Sequence, residues 1–178
     1  MAIRDLRGFL AALERRGELL HVTEELSPRF EIPQVLKELD RPGAPAVQFE
    51  RVRGYEARIV GNLLGTTERL AALFEVELGQ VAGEYLRRRE QGIPPKRVTD
   101  APVKEVIHRD GVDLLATIPV PTYHEKDGGP YVTCGVVVAR DPASGQRSMG
   151  LHRLQVKGKT RTGIHLTNPP IAAFFREA

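Results

Sequence analysis

The stretch from residue 148 to 154, Ser-Met-Gly-Leu-His-Arg-Leu, holds the residues most suited to binding or catalysis. Alternate side chains of a strand share a face, so Ser148, Gly150 and His152 should point one way and Arg153 the other. Gly150 would let a ligand or another backbone approach closely. Arg153 needs an anion if it is buried, and its planar guanidinium suits a carboxylate or a phosphate. On the residues alone, an internal salt bridge is favoured over a ligand contact.

The other potential nucleophiles and metal ligands form no recognisable motif. The sequence has no Walker A loop, no G-x-G-x-x-G and no H-E-x-x-H. Cys134 lies in a strand-like run, where inert packing is favoured over a nucleophilic role. As the single cysteine, it cannot form an internal disulfide or a cysteine-based zinc site alone. His152 and His165 could approach each other across neighbouring strands, but their spacing favours ordinary strand histidines over a metal pair.

A polar segment interrupts the otherwise apolar second half. Residues 124–129 read His-Glu-Lys-Asp-Gly-Gly and follow a connection punctuated by proline. Long polar connections often carry function, and they are as often solvated turns. Both interpretations stay open from the sequence alone.

The composition is that of an ordinary globular protein. The chain has 178 residues, of which 41% are hydrophobic and 28% charged, with a net charge of +3. Basic and acidic residues are interspersed, which argues against nucleic-acid binding. No apolar run approaches the ~20 residues that span a bilayer, and charges interrupt the N-terminal apolar stretch, unlike a signal peptide. We therefore expect a cytoplasmic protein.

Four helices are predicted in the first half. Asp5 caps the first helix, and Ser27, followed by proline, starts the second. Thr66 or Thr67 opens the third, and the fourth runs over about 77–90. The residues expected to face inward on the fourth helix are Leu78, Val81, Tyr85 and Leu86.

Two strand-like runs separate these helices. They are AVQFERV (46–52) and ARIVGNL (57–63), joined by a short polar turn that predicts a hairpin. Two helices, two strands and two helices form a compact α/β unit.

The second half changes to a β pattern after a proline-rich stretch. Residues 93–105 predict a linker or crossing arm, and a helix begins after Pro169 and Pro170. The strands expected between them cover residues 103–109, 131–140, 148–156 and 160–166, with the second one buried. Consecutive antiparallel strands without a closing partner are marginal as a domain. This half is therefore expected to be an incomplete unit.

Three segments of the chain resemble the N-terminal part of the UbiD family of decarboxylases, which includes the 4-hydroxy-3-polyprenylbenzoate and ferulate decarboxylases. They are residues 5–26, 60–70 and 118–142, and the similarity extends over all 178 residues. The stretch His-Glu-Lys-Asp-Gly-Gly-Pro-Tyr is highly specific for the family.

The resemblance implies an α+β fold in two parts. An N-terminal α/β domain would occupy residues 1–92, followed by the arm at 93–105. Residues 106–178 would then form the first part of a flavin-reductase-like split β-barrel that binds prenylated FMN. The family's acidic catalytic residues and its metal-binding glutamate would lie beyond position 178, so the chain is either a fragment or a natural truncation.

The resemblance also implies an activity and its partners. The reaction would be reversible, non-oxidative decarboxylation of aromatic or α,β-unsaturated carboxylic acids. The cofactor would be prenylated flavin mononucleotide (prFMN) made by a partner flavin prenyltransferase, with its phosphate held through Mn²⁺ and with K⁺ nearby. Family members commonly form homo-oligomers.

The family's site residues transfer to this sequence through a strand of the form Asn-x-x-x-x-Arg. Arg153 matches the arginine placed against flavin and substrate, and Ser148 occupies the position of the metal-binding asparagine. Because a hydroxyl is a weaker ligand for a hard cation than an amide carbonyl, Ser148 weakens the metal site. Asn168 is a possible substitute for the family's metal-binding histidine. The remaining cofactor-contacting positions implied by the resemblance are Leu151, His152, His165, Leu166, Thr167, Pro169 and Pro170.

Two rival functions stay open. The chain could be a non-catalytic flavin-binding or subunit-assembly module that has lost the catalytic half, which Ser148 and the altered 165–170 segment favour. A minor alternative is an ordinary flavin-binding protein on a similar barrel.

Overall fold

The computed structural model describes residues 3–167 and 169–177 as an α+β structure with small sheets. The helices are α1 (Leu6–Arg15), α2 (Glu31–Glu38), α3 (Thr67–Phe74), α4 (Val81–Glu90), α5 (Leu114–Thr117) and α6 (Ile171–Glu177). The strands are β1 (Leu19–Leu26), β2 (Ala46–Val52), β3 (Ile59–Gly61), β4 (Tyr131–Val132), β5 (Val136–Arg140), β6 (Arg147–Leu151), β7 (Leu154–Gly158) and β8 (Arg161–Ile164). No helix among these residues is long and apolar enough to cross a membrane.

The first sheet forms the core of the N-terminal half. Its order is β1-β2-β3, with β2 parallel to β1 and antiparallel to β3, so the predicted hairpin is confirmed. Phe49 and Val47 of the central strand are fully buried, and Ile32 of α2 packs into the same cluster as Phe49. On the other side, Phe9 and Leu13 of α1 bury Ala46. Burial of this central strand is the main source of stability for this half.

Strand β1 was not predicted from the sequence. Its residues, LLHVTEEL, do not alternate between apolar and polar, and the strand has no fully buried residue. It forms because one edge of β2 offers its backbone as a parallel hydrogen-bonding partner over Leu19–Leu26. A strand stabilised mainly by backbone pairing leaves little trace in side-chain pattern.

The helix starts were predicted with mixed success. Asp5 accepts a hydrogen bond from the Gly8 N–H at 2.7 Å, and Thr66 accepts one from the Arg69 N–H, so both predicted caps are confirmed. The Ser27 cap is wrong, because α2 begins four residues later, after Phe30. The Phe30 N–H donates to the Thr122 carbonyl at 3.1 Å, and this contact with the second half holds the preceding segment outside the helix.

The helix predicted over about 77–90 appears as a 3₁₀ turn (Leu78–Gln80) followed by α4, but its apolar residues are not fully buried. Leu78, Tyr85 and Leu86 are each at least half exposed, whereas Val81 is half-buried. The inward face expected from periodicity is therefore wrong for this chain.

The second half contains two small antiparallel sheets, β4-β7-β8 and β5-β6. The strand predicted at 103–109 does not form; Pro102–Lys104 make a 3₁₀ turn, and Val103, Val106 and Ile107 are exposed. The predicted strand at 131–140 divides into β4 and β5, and Cys134 lies exposed between them rather than packed in a strand. The expected burial of that run is also wrong, since Val136 and Val138 are exposed.

The predicted strand at 148–156 also divides. The chain leaves β6 after Leu151 and enters β7 at Leu154, in a different sheet. The predicted strand at 160–166 appears as β8, and the helix after the two prolines appears as α6. Helix α6 packs against β5 and β6, so the segment that follows β8 returns to the other sheet.

Candidate functional site

The β4-β7-β8 sheet carries a polar face around Arg153. Tyr131 pairs directly with Gln155, and Gln155 pairs directly with Gly163, so these three residues share a face. The Arg153 guanidinium lies over the Tyr131 ring, 5.4 Å from its centroid, which places it on the same side. We call the surface formed by Tyr131, Arg153, Gln155 and Gly163 the Arg153 face.

A cavity of about 200 Å³ opens on the Arg153 face. Its lining contains three basic side chains and no carboxylate. The residues that line it are Tyr131, Arg153, Gln155, Lys157, Gly163, Ile164 and His165. A pocket lined by cations without acids attracts an anion such as a carboxylate or a phosphate.

Arg153 has no acidic partner in the described part of the chain. None of the ion pairs among residues 3–167 and 169–177 involves its guanidinium. The internal salt bridge favoured by the residues alone is therefore not formed, and the side chain is exposed rather than buried. Stacking on Tyr131 fixes one surface of the guanidinium and leaves its planar edge for a ligand.

Leu151 and His152 lie on opposite faces of the chain beside Arg153. Leu151 is exposed, and its cross-strand partner Val136 is exposed beside it. His152 is buried on the face that α6 covers, and Nε2 of its ring lies 3.0 Å from the position that a side chain on Gly150 would take. Gly150 thus makes room for an imidazole rather than for a ligand or a backbone.

His152 is held at the crossing between the two sheets. Its N–H donates to the Gly135 carbonyl at 2.9 Å, and its buried Nε2 has no hydrogen-bond partner among the described residues. This position separates His152 from the Arg153 face. His165, by contrast, lines the cavity, so the two histidines are not brought together as a metal pair.

The positions implied as metal ligands do not assemble into a metal site in the described residues. Ser148 is half-buried on the face of β6 shared with Gly150, and Asn168 lies outside the described residues. Residues 3–167 and 169–177 contain no group of three or more histidine, cysteine or acidic side chains placed to hold a metal ion.

The connection between β8 and α6 holds the other implied cofactor contacts. Leu166 is half-buried, whereas Thr167, Pro169 and Pro170 are exposed in the turn that precedes α6.

The polar segment 124–129 folds as a turn that reaches the Arg153 face. The His124 N–H donates to the Asp127 carboxylate at 3.0 Å, which closes the turn. A side chain on Gly128 would lie 2.5 Å from Nε2 of Gln155. The segment therefore packs against a residue of the cavity, and a larger residue at position 128 would displace the end of the Gln155 side chain.

The segment VGNLLGTTERL (60–70) has a structural role in the N-terminal half. Arg69 is buried and donates from Nη1 to the Ala44 carbonyl at 2.9 Å. Asn62 donates its amide to the Pro45 carbonyl at 2.8 Å. These two side chains satisfy the backbone that leads into β2, which otherwise would leave buried carbonyls unpaired. Arg69 and Asn62 therefore support the fold rather than the Arg153 face.

A histidine clamp joins three elements of the N-terminal half, and no motif in the sequence predicted it. The His21 ring on β1 places Nε2 2.6 Å from the Glu14 carboxylate of α1 and Nδ1 2.6 Å from the Glu50 carboxylate of β2. Both nitrogens can donate only when the imidazole is protonated. Hydrogen bonds to Glu14 and Glu50 accordingly raise the pKa of His21, and the bond from His21 lowers the pKa of Glu50.

The histidine clamp predicts a pH-dependent stability. Because the folded state raises the pKa of His21, its contribution is fully present below the ordinary value of 6.5 and is lost as pH rises through the folded-state value. The folded state lowers the pKa of Glu50, so the pH dependence has the opposite sign. The contribution of Glu50 to stability is present above its ordinary pKa of 4.5 and is lost as pH falls below that value. Urea midpoints measured between about pH 5 and pH 8, where histidine titrates, should show wild-type protein losing its advantage over His21→Gln as pH rises. A difference that stays constant with pH contradicts the clamp.

Comparison with known proteins identifies the family. Residues 10–88 match the 3-octaprenyl-4-hydroxybenzoate carboxy-lyase N-terminal domain, and residues 96–178 match the Rift-related domain of the same carboxy-lyase. The chain belongs to the UbiD family. An uncharacterized protein of Archaeoglobus fulgidus is 32% identical to it over 93% of the chain and 38% of that protein.

Solved structures of UbiD-class enzymes have the same fold. An evolved dimeric form of HmfF from Pelotomaculum thermopropionicum, solved in complex with prFMN, superposes with a TM-score of 0.92 at 40% identity and matches 98% of this chain. The apo 3,4-dihydroxybenzoic acid decarboxylase AroY of Klebsiella pneumoniae gives a TM-score of 0.89 at 27% identity over 98% of this chain. This chain spans 41% of that HmfF chain and 39% of that AroY chain, and so corresponds to the N-terminal portion of such enzymes.

Proposed function

We propose that the chain is the N-terminal, flavin-binding part of a prFMN-dependent carboxy-lyase that decarboxylates aromatic or α,β-unsaturated acids reversibly. The observation that supports this most is its 0.92 TM-score and 40% identity to HmfF in complex with prFMN, over 98% of this chain. The acid-free cavity beside Arg153 agrees with it, because both the cofactor and the substrate are anionic. A carboxylate side chain of the protein near Arg153 would repel both of these anions.

The domain organisation proposed for this function follows the predicted boundaries. Residues 1–92 form the α/β domain, 93–105 the arm, and 106–178 the first strands of a split β-barrel. The two small antiparallel sheets of the second half support this proposal, and the exposed residues of β5 would be covered within the complete barrel.

Arg153 is proposed as the residue that binds the substrate carboxylate beside the flavin. Its guanidinium offers a planar edge with two parallel N–H donors. Stacking on the Tyr131 ring orients the guanidinium. A fixed cation stabilises negative charge that develops in the transition state without reorganisation. When bound, prFMN supplies the electron sink for loss of CO₂. Arg153 orients the acid and stabilises charge, while the described lining of the cavity offers no acidic side chain to supply the proton needed afterwards.

The remaining implied contacts are proposed with distinct roles. Leu151 and His165 are suited to touch the cofactor directly, since one is exposed beside Arg153 and the other lines the cavity. His152 supports the crossing from β6 to β7 through its backbone and buried ring. Leu166, Thr167, Pro169 and Pro170 are proposed to shape the cofactor's surroundings ahead of α6.

The implied Mn²⁺ and K⁺ do not fit the described residues as a ready site. Ser148 offers one hydroxyl, which alone is a poor ligand set for a divalent cation. We therefore derive no step through a metal. The partner flavin prenyltransferase and the homo-oligomeric state are proposed from the family resemblance, and the cytoplasmic location is proposed from the composition of the sequence.

Isotope exchange tests the proposed reaction in the complete protein. Co-expression with a flavin prenyltransferase, followed by incubation of a panel of aromatic and unsaturated acids with ¹³C-bicarbonate, should label the carboxyl group of the true substrate. A protein that binds flavin but exchanges no label supports the non-catalytic binding module, which the replacement of the family asparagine by Ser148 would then explain.

A further inference from the structure

Lys157 occupies an irregular position in β7. The pairing of β7 with β8 runs from Leu154↔Ile164 to Val156↔Thr162 and resumes at Gly158↔Arg161. Lys157 is therefore an extra residue on β7 without a partner on β8. A bulge of this kind bends the strand and redirects a side chain, and bulges are frequent beside functional sites.

The Lys157 side chain crosses β8 at Gly163. A side chain on Gly163 would begin 2.7 Å from Cε of Lys157, 3.2 Å from Cδ and 3.5 Å from Nζ. The backbone of Gly163 does not have a positive φ, so conformation does not require glycine there. Glycine instead leaves the space through which the lysine chain passes.

This path brings the ammonium group of Lys157 to the Arg153 face. Gly163 pairs with Gln155 on that face, and Lys157 lines the same cavity as Arg153 and His165. No carboxylate lines the cavity, and no ion pair among residues 3–167 and 169–177 involves Lys157. Adjacent cations without a counter-ion repel each other, and a bound oxyanion removes that cost.

We infer that Lys157 is an additional anion-binding residue of the Arg153 face, placed there by strand alternation after Gln155 and by the absence of a side chain at Gly163. Its ligand is an oxyanion, either a carboxylate or a phosphate. The assignment of this oxyanion to the substrate or to the flavin rests on the proposed function. The contact between Lys157 and an oxyanion is independent of that function.

Three variants test separately the charge of Lys157, the position of its side chain, and the effect of removing a lysine outside the cavity. Lys157→Gln removes the charge and keeps most of the length. Gly163→Ala keeps the charge but places a methyl group against Cε of Lys157, which displaces the flexible chain. Lys159→Gln is the matched control, because it removes one charge from the β7–β8 turn, where its ammonium faces Asp113 at 3.7 Å. Circular dichroism verifies that each variant is folded.

NMR titration with two probes tests the inference without flavin. Inorganic phosphate and benzoate are added separately, and the ε-CH₂ signal of Lys157 and the Nε–H signal of Arg153 are followed. We expect at least one probe to shift both signals in wild-type protein. In the variants, binding is followed by the Arg153 signal. Lys157→Gln and Gly163→Ala should each lower the affinity for that probe by about three- to tenfold, the range for one partly solvated charged contact. Lys159→Gln should bind as wild type.

The outcomes distinguish this inference from the proposed function. A response to phosphate alone assigns the oxyanion to the flavin phosphate, and a response to benzoate alone assigns it to the acid substrate; both support Lys157. The inference is overturned if neither probe shifts the Lys157 signal, or if Lys157→Gln binds like Lys159→Gln. Carboxyl exchange in the Lys157→Gln enzyme at the wild-type rate, together with unchanged probe binding, would leave the proposed function intact while rejecting Lys157.

Discussion

Replacing Arg153 by alanine in the complete protein should lower decarboxylation by at least about 100-fold, equivalent to ~2.7 kcal/mol of transition-state stabilisation, which is the effect of removing one fixed donor from a developing charge. The reason is the position of the guanidinium, which stacks on Tyr131 in a cavity without carboxylates. Folding should be preserved, because the side chain is exposed and takes part in no ion pair among the described residues. Initial rates of CO₂ release and the thermal unfolding midpoint measure the two expectations.

Two further variants define what Arg153 contributes. Arg153→Lys keeps the charge but loses the planar pair of donors, so its rate should fall between those of wild type and Arg153→Ala. Arg147→Ala removes an exposed arginine from the start of β6 and should leave turnover unchanged. Normal turnover by Arg153→Ala would reject the assigned role.

Replacing Phe49 by alanine should cost about 3–5 kcal/mol of unfolding free energy, the usual range for a buried phenylalanine. Phe49 is fully buried in the central strand β2, between Val22 on β1 and Ile59 on β3. The cavity left by truncation would lie where α2 packs on the sheet, so neighbouring side chains cannot easily fill it. Because whole domains are stable by only about 5–15 kcal/mol, this loss is large enough to unfold part of the population.

The matched control is Phe175→Ala, which removes the same side chain from α6. Phe175 is 71% exposed, so its truncation should change the stability by no more than about 0.5 kcal/mol. Urea unfolding followed by circular dichroism compares the two. Equal effects of Phe49→Ala and Phe175→Ala would show that the described core does not carry the stability of the chain.

Local signals in the sequence predicted those elements whose stability is local. Asp5 and Thr66 mark helix starts because a cap acts within three residues, and β2 is visible because its apolar run is buried. Strand β1 was missed because its stability comes from backbone pairing with β2. The start of α2 was misplaced because a hydrogen bond to Thr122, far along the chain, holds Phe30 outside the helix.

The same distinction between local signals and long-range contacts explains which parts of the candidate site were predicted. Arg153 was visible because an arginine among apolar residues is unusual in a strand, but its lack of an acidic partner required the structure. Lys157 was not identified from the sequence, because its approach to the cavity depends on the space that Gly163 leaves on the neighbouring strand. The histidine clamp joins residues 14, 21 and 50 from three elements, and no spacing along the chain predicts that contact. Similarly, the burial predicted for α4 and β5 was wrong because burial depends on tertiary contacts that periodicity along the chain does not report.

The most direct test of the central claim is the flavin content of the complete protein after co-expression with a flavin prenyltransferase. The purified protein is scanned for flavin absorbance, then denatured, and the released cofactor is identified by mass spectrometry. The account predicts release of prenylated flavin mononucleotide in near-stoichiometric amount. A folded, colourless protein that releases no flavin contradicts it.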